Sequence, residues 1–587
     1  MGDIRLILKK LTINNFRSIA ECTITCGKLS ALVGENNSGK SGILRALNAF
    51  FNYEEEEEHF KNGSHQYSNQ RLVRIELTFG NIPDKEYYID KIYNQELILR
   101  MTYSHNARNK RRTIQYKING SYQNISNDFI EQLKNDINYV LIPTSRDHKQ
   151  VIWAENALLK TVLEAYFKKH TSRRDSLSPK VKEAARNFEK LALSKVEKSL
   201  SKYYSLTQNF DFKLNHNKMI DYSILLNDIS LSIEEKGQNY NITESGSGIQ
   251  SLTIIALYRY LAEIKHNNII LGIEEPEINL HPQAQRQFIK SIKENNEAIH
   301  EIQTIFTTHS AVIVDQLEHN ELILFRKVED RSRGFKTIAH QVPDNFWEKH
   351  DIEEFKYYQF YRYKNSEFFF AKFIIIVESK NDAEVVKFLL EQKNIDPDLY
   401  GVSIIDLGGV NNLRYPFHLL NYLKIPHFII LDKDFFIPYY NDSLENSRYD
   451  NGFPKYRNEY KNENLELIKE LIPKKNDRDR LLNLFKTNHS KAMDLLEKYN
   501  IISMMYNLEI DLVGSKTATK VYHDLLIVPR EMQENPSQKF LLTERKGQIK
   551  QIKVIMNVIS ELQHKNLPNS YKRIKKIVSE RIKSLNK

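Results

Sequence analysis

Cysteine is nearly absent from this chain: Cys22 and Cys26, both in "ECTITCGKL", are the only two in 587 residues. That excludes a disulfide framework, and no second Cys/His pair at zinc spacing accompanies them. They read as two small apolar residues of a strand, in a protein made for a reducing cytoplasm. Long hydrophobic runs are missing as well. No stretch approaches the roughly 20 apolar residues of a membrane span. The opening "MGDIRLILKKLTINNF" has no signal-peptide layout, so a cytoplasmic chain without membrane attachment is expected. Repeats of about 20–50 residues are also lacking. Nor is charge strongly of one sign: 85 basic against 75 acidic residues gives +10, too modest to demand a polyanion partner.

What remains is ordinary globular composition, 41% hydrophobic and 27% charged. The length exceeds what one hydrophobic core supports, so two or more domains are expected. Basic residues gather in "HNARNKRRT" (105–113) and "KNLPNSYKRIKKIVSERIKSLNK" (565–587). Each patch suits a phosphate backbone, or else a solvated helix face.

Strand and turn signals fill the first residues, then "KSGILRALNAFFN" switches to helical spacing. The five glutamates 54–58 read as a solvated loop or helix end, and 70–142 as short strands with turns. From about 150 to 205 apolar residues recur at i, i+4 and i+7 or i+8 (Leu158, Val162, Tyr166; Phe188, Ala192, Val196, Leu200), which predicts a helical insertion, an arm or dimer surface. Strand texture returns with "DYSILLNDISLSIEEKGQNYNI", and α/β alternation runs to about 345. The aromatic, polar stretch 346–370 reads as a linker. From 371 strand and helix alternate again, predicting a smaller parallel-sheet domain to about 530 and a basic helical part over 531–587.

"GENNSGKS" (34–41), between the strand "LSALV" and a helix, matches G-x-x-x-x-G-K-[ST]. Backbone N–H groups around Gly34, Asn37 and Gly39 would cradle phosphates, Lys40 would reach the β/γ-phosphates and Ser41 would hold Mg²⁺. "IILGIEEPEINLHP" (269–282) is an apolar strand ending in Glu274, suited to that Mg²⁺, and Glu275, suited to orient the attacking water. "TIFTTHS" (304–310) ends in His309, placed to sense a γ-phosphate. "TESGSGIQSL" (243–252) is a Gly/Ser turn opening a helix.

These stretches, with "LTINNFRSI", resemble the ABC-type ATPase heads of the RecF/SMC class. The resemblance implies that Ser245, Gly246 and Gly248 belong to a signature motif and that His309 is the switch histidine. It also implies that two heads sandwich ATP, hence a homodimer or higher oligomer. Glu274 stands where many such enzymes have Asp.

"FIIIVESKNDAEVV" (373–386) delivers Glu378 and Asp382 to a strand tip, and "PHFIILDKDFF" (426–436) ends in Asp432 and Asp434. Alternating residues at a strand end project the same way, and carboxyl ends of parallel strands form the ligand crevice. Four carboxylates at one hollow repel unless a divalent cation joins them, and oxygen-only ligands favour Mg²⁺ or Mn²⁺. Acids capping a helix N-terminus are the structural alternative. This spacing, with "DLGGVNN" (406–412) between, resembles a Toprim domain, a Rossmann-like fold; Ser379 replaces its usual glycine.

The order of parts, an α/β ABC-type head with a helical dimerisation insertion followed by Toprim, resembles the OLD (overcoming lysogenization defect) nucleases. That family includes nuclease subunits of Gabija-type antiphage defence and retron effectors. The resemblance implies an ATP-regulated, divalent-metal-dependent DNA endonuclease in antiphage defence. It implies a two-metal mechanism with ions about 4 Å apart, and a later acid and lysine completing the centre. "LEIDLVG" (508–514) offers Glu509 and Asp511, with Asp511 expected as the ligand; "ERKGQIKQIKVIMNVI" (544–559) offers Lys546, with Lys550 its rival. Expected partners are DNA and a second defence subunit, helicase-like or a reverse transcriptase with its RNA–DNA product. The alternative is an ABC-type repair or clamp ATPase whose Toprim domain is not catalytic.

Overall fold

A computed structural model of the chain describes residues 6–105, 111–144, 158–196, 226, 231–235, 237–241, 247–265, 268–298, 302–331, 334–361, 366–440, 447–534 and 537–585. It divides into two compact units, Met1–Ala339 and His340–Lys587.

The first unit holds two large sheets. One is antiparallel, in the order Ile19–Thr25, Ile7–Phe16, Val73–Gly80, Glu96–Ser104, Arg111–Ile118, Ser121–Asn124. Its strands alternate: in Glu96–Ser104 the residues Leu97, Leu99, Met101 and Tyr103 are buried between partly exposed neighbours, the period that seats one face on a core. Cys22 lies opposite Ile13 in this sheet, and Cys26 just beyond; both are buried, free thiols, and burial pushes both up to about 12.

The other sheet runs Gly334–Gln341, Leu322–Asp330, Leu29–Gly34, Ile302–Thr307, Asn268–Glu274, Ile137–Ile142. Its inner strands pair in parallel. "LSALVG", "NIILGIE" and "IQTIFT" are buried at every residue, as parallel strands covered on both faces require. Helix Lys40–Phe51 packs Ile43, Leu44, Leu47 and Phe50 into the shared core.

The acidic run departs from expectation. Residues Tyr53–Lys61 are a helix, and Glu56 within it is fully buried, binding Arg45, Asn48 and His65 at 2.8–3.1 Å. Burial raises this carboxyl, yet the bonds from His65, Asn48 and Arg45 hold it down to about 2. In the insertion, helices Leu158–Lys169 and Thr171–Phe188 form. Leu158 and Val162 are buried, while Phe188 and Val196 stand about half exposed, at 53% and 47%; Leu200 lies outside the described residues.

The second unit is built on a parallel sheet, in the order Val402–Asp406, Phe373–Val377, His427–Leu431, Ile501–Ser503. Helix Lys380–Glu391 buries Val385, Val386, Leu389 and Leu390 against it. The basic tail is no loose arm: helix Asn569–Leu585 sets Tyr571, Ile574, Val578 and Ile582 into the same core and leaves Lys576, Arg581 and Lys583 exposed. The expected linker is also packed into this unit. Phe346, Phe360, Phe368 and Phe369 are buried, Phe346 meeting Tyr422 at 5.6 Å between ring centroids.

Ile527, past the end of helix Lys516–Leu525, has φ 51° and is 86% exposed. A β-branched side chain in the left-handed region is strained and here packs on little. Ile527→Gly is expected to raise stability by about 1 kcal/mol, read as a shift of the urea midpoint; a lower midpoint would refute the strain.

Candidate active sites

The phosphate-binding loop is shaped by close approaches. Gly34 has φ 132°, and a Cβ there would lie 2.1 Å from the Phe325 carbonyl of the neighbouring strand. Gly39, φ 99°, caps helix Lys40–Phe51; its Cβ would lie 2.4 Å from Thr337 Oγ1. Both positions need glycine. Asn37 also takes positive φ, at 58°. Lys40 Nζ donates to the carbonyls of Gly34 at 2.9 Å and Glu35 at 2.8 Å. Burial pulls this ammonium down to about 8, against the raising charges of Glu275, Glu277 and Glu35. The Ser38 hydroxyl is buried with no hydrogen-bond partner among the described residues, and Ser41 opens the helix half-buried. An orphaned donor in a loop of backbone amides suits a phosphate.

Glu274 pairs across the sheet with Thr307, so two strand ends arrive side by side. Glu274 Oε2 accepts from the Thr144 N–H and Oγ1, each at 3.2 Å, and its Oε1 lies 3.9 Å from Arg45 Nε. Glu275 sits at φ 44°, its N–H bonded to Thr307 Oγ1 and O at 3.1 Å, and its Oε1 lies 3.8 Å from His309 Nε2. The His309 N–H donates to Glu277 Oε1 at 2.6 Å. Burial, with Lys40 nearby, pulls the imidazole down to about 4, so it is neutral at neutral pH. Gly248 packs close to the Asn279 carbonyl, where a Cβ would come to 2.7 Å; Ser245 and Gly246 lie outside the described residues. Arg45, one turn after Ser41, joins Glu274 to Glu56. Its i+4 spacing from Ser41 is the signal that sequence reading passed over.

In the second unit the strands Phe373–Val377 and His427–Leu431 are neighbours, with Val402–Asp406 on the outer side. Their carboxyl ends meet where the strand order reverses, the place where such sheets bind ligands. Glu378 Oε1 accepts the Asp432 N–H at 2.8 Å. Asp382 is the third residue of a capping box: its Oδ2 accepts from Ser379 N at 2.9 Å and Oγ at 2.7 Å. The serine at the usual glycine position therefore caps helix Lys380–Glu391.

Burial raises all four carboxyls. Asp434 and Asp382 add to the rise at Glu378, and Glu378, Asp382, Asp434 and Glu509 add to it at Asp432, which is pushed well above its ordinary value. At Asp434 burial is opposed by Lys461 and Lys550, and at Asp382 it is reinforced by Glu509. These acids thus crowd one another, although among the described residues no three acid, His or Cys side chains already close on a single point. Crowded, oxygen-only donors that raise one another fit a hard divalent cation.

The late residues divide sharply. Glu509 lies with the acids, and Lys550 Nζ is 3.1 Å from its Oε1. Asp511 is buried elsewhere in its own set of bonds, accepting from Met505 N at 2.9 Å, Tyr506 N at 2.8 Å and Ser570 Oγ at 2.6 Å. Burial pushes it up to about 6 in spite of them. Lys546 is exposed at the start of the short helix Lys546–Ile549. Lys433, between the two aspartates, is itself buried. Its Nζ donates to the Phe485 carbonyl at 3.3 Å and lies 4.7 Å from the Tyr456 ring centroid and 5.9 Å from that of Tyr506.

Comparison with known proteins agrees with this division of the chain. Residues 7–149 and 83–314, together more than half of it, match the family described as AAA ATPase domain, and the chain belongs to that family. Residues 369–434 match the Toprim domain of overcoming-lysogenization-defect-like proteins. The chain joins an AAA ATPase domain to an OLD-like Toprim domain. An OLD nuclease of Thermus scotoductus is 23% identical to it over 461 residues, 73% of this chain and 82% of that protein. An endonuclease GajA of Bacillus cereus is 26% identical over 349 residues, 54% of this chain and 50% of that protein. The SMC head domain of Thermotoga maritima covers 57% of this OLD-type chain at 16% identity and a TM-score of 0.32. The Toprim match ends at Asp434, so in this OLD-type chain the roles of Glu509, Asp511, Lys546 and Lys550 rest on geometry.

Proposed function

We propose that this nuclease of the OLD type is an ATP-regulated, divalent-metal-dependent DNA endonuclease acting in antiphage defence. The reading is carried by one observation: adjacent strand ends deliver Glu378, Asp432 and Asp434 to a crowded acidic hollow beside Glu509, with Lys550 on its edge. Glu509, rather than Asp511, is the late acid, because Asp511 is already engaged by two backbone amides and a hydroxyl. A divalent cation held by Glu378, Asp432, Asp434 and Glu509, with Asp382 beside them, would polarise the scissile phosphate and lower the pKa of the attacking water. Lys550, paired with Glu509, meets the charge that develops on the phosphate. Lys461 draws the backbone in.

In the ATPase unit Lys40 would leave the loop carbonyls for the β/γ-phosphates. Ser41 and Glu274 suit Mg²⁺, Glu275 the attacking water, and neutral His309 the γ-phosphate. Ser245, Gly246 and Gly248 are proposed to complete the site of a second head in a homodimer. A second defence subunit remains part of the proposal.

The test is cleavage of supercoiled plasmid with Mg²⁺ or Mn²⁺ against EDTA, with and without ATP, for the wild type, Lys550→Met and Lys546→Met. Cleavage is expected to need metal and to fall about a hundredfold in Lys550→Met but little in Lys546→Met. The reverse order of the two variants would return the role to Lys546. Cleavage absent under every condition would favour the clamp ATPase, and metal-independent cleavage would overturn the metal centre.

A further inference from the structure

Residues 436–440 and 447–461, which flank 441–446 outside the described residues, run side by side as a ribbon. Arg457 N donates to Pro438 O at 2.9 Å and Lys461 N to Phe436 O at 2.8 Å. Bridges join Tyr439 to Tyr456 and Arg448 to Pro454. The ribbon is therefore rooted two residues beyond Asp434. Its inner pair, Tyr439 and Tyr456, stacks at 4.6 Å between centroids.

Its outer tyrosines are different. Tyr440 is 39% and Tyr449 54% exposed, and each has a cation beside its ring: the Arg457 guanidinium 5.8 Å from the Tyr440 centroid and Lys455 Nζ 5.3 Å from that of Tyr449. Backbone bonds hold both tyrosines, Tyr440 N to Lys455 O at 3.0 Å and Tyr449 N to Phe453 O at 2.9 Å. A core has no use for an exposed ring, and phosphate contact alone needs no ring at all. Aromatic faces interleaved with cations suit bases that are not already stacked in a duplex, with phosphates between them.

We propose that this ribbon is a platform for unpaired DNA, stacking bases on Tyr440 and Tyr449 while Lys455, Arg457 and Lys461 take the phosphates, so that the strand reaching Glu378, Asp432 and Asp434 is locally single-stranded. The inference rests on the nuclease reading and names its substrate class. A cation on one side of each ring leaves the other for a base and counters the phosphate on the same nucleotide. The ion pairs of Arg457 with Glu459 at 3.8 Å and Lys461 with Glu463 at 3.3 Å are surface pairs, readily exchanged for a phosphate.

Binding is measured by fluorescence anisotropy on the full chain carrying Glu378→Gln, so that the probe survives. The probes are a labelled mixed-sequence single strand and the same sequence as a duplex, at one fixed salt concentration. Adding Tyr440→Ala and Tyr449→Ala together is expected to weaken single-strand binding by about tenfold or more and duplex binding by less than about twofold. Tyr440→Phe with Tyr449→Phe should restore single-strand affinity, because the ring stays. Equal losses on both probes, or no loss on the single strand, overturn the proposal. A Glu378→Gln parent that binds duplex but not single strand overturns it while leaving the nuclease reading standing. A parent that binds neither overturns the nuclease reading and this one with it.

Discussion

Glu378→Gln is expected to lower metal-dependent cleavage by about a thousandfold or more while DNA stays bound and ATP hydrolysis continues. Glutamine is nearly isosteric, and its amide oxygen can still accept the Asp432 N–H that Glu378 Oε1 now accepts at 2.8 Å. The strand ends therefore keep their register, and what is lost is one negative charge. That charge matters because burial raises all four carboxyls, while Asp434 and Asp382 add to the rise at Glu378, Glu378, Asp382 and Asp434 add to it at Asp432, and Glu509 adds to it at Asp382 and Asp434. The hollow is costly as a set of bare carboxylates and favourable once a cation joins them. A glutamine reduces that attraction at the ligand shared by both strand ends. The measurement is plasmid cleavage against metal concentration, beside anisotropy on duplex DNA and phosphate release from ATP. Unchanged cleavage would show that these acids only cap a helix. Loss of cleavage together with loss of ATP hydrolysis would point to misfolding.

The parts legible in the sequence share a physical reason: their signal is local. A loop that must admit positive φ and bare backbone shows itself as glycines at fixed spacing, and Gly34 and Gly39 are where a Cβ would collide. A strand buried on both faces shows itself as an apolar run, and the first polar residue after it marks the tip; hence Glu274, Glu378 and Asp432 could be read. The largely parallel sheet of each unit follows from the same runs. The less legible parts are decided by partners outside the stretch itself. Nothing in "YEEEEEHFK" distinguishes Glu56 from its fellows, because Arg45, Asn48 and His65 arrive from elsewhere to bury it. Glu509 and Asp511 are two residues apart on one helical turn and so point apart, and only the packing of helix Asn569–Leu585 determines which faces the acids. Lys546 and Lys550 are one turn apart, and the short helix Lys546–Ile549 ends between them, so spacing alone does not say which reaches Glu509. The stretch 346–370 looked like a linker because its charges are conspicuous, while its phenylalanines had no visible partner until Tyr422 and its surroundings came into contact.

The contrast between Glu509 and Asp511 makes the second strong prediction. Asp511→Ala is expected to destabilise the second unit by about 3–5 kcal/mol. Removing the carboxylate leaves the part-buried amides of Met505 and Tyr506 and the buried hydroxyl of Ser570 without their acceptor. It also removes the charge that counters the buried Lys433 ammonium. The damage reaches the catalytic turn through one hydrogen bond and one ring contact: the Lys433 N–H donates to the Tyr506 carbonyl at 3.0 Å, and the Tyr506 ring flanks Lys433 Nζ. Cleavage should fall because Asp432 and Asp434 lose their footing. Glu509→Gln, by contrast, removes only the charge 3.1 Å from Lys550 Nζ, and its amide oxygen can still accept from Asn507. It should lose cleavage with the EDTA-treated melting temperature close to the wild type. Thermal melting in EDTA, read beside plasmid cleavage in Mg²⁺, separates the two. Asp511→Ala melting like the wild type while cleavage is lost would make Asp511 a ligand after all, and its present bonds would be ones that a metal ion displaces. An early melt for Asp511→Ala, with Glu509→Gln stable and inactive, assigns the metal to Glu509 and the architecture beneath it to Asp511, since a buried carboxylate with three donors cannot leave them without cost.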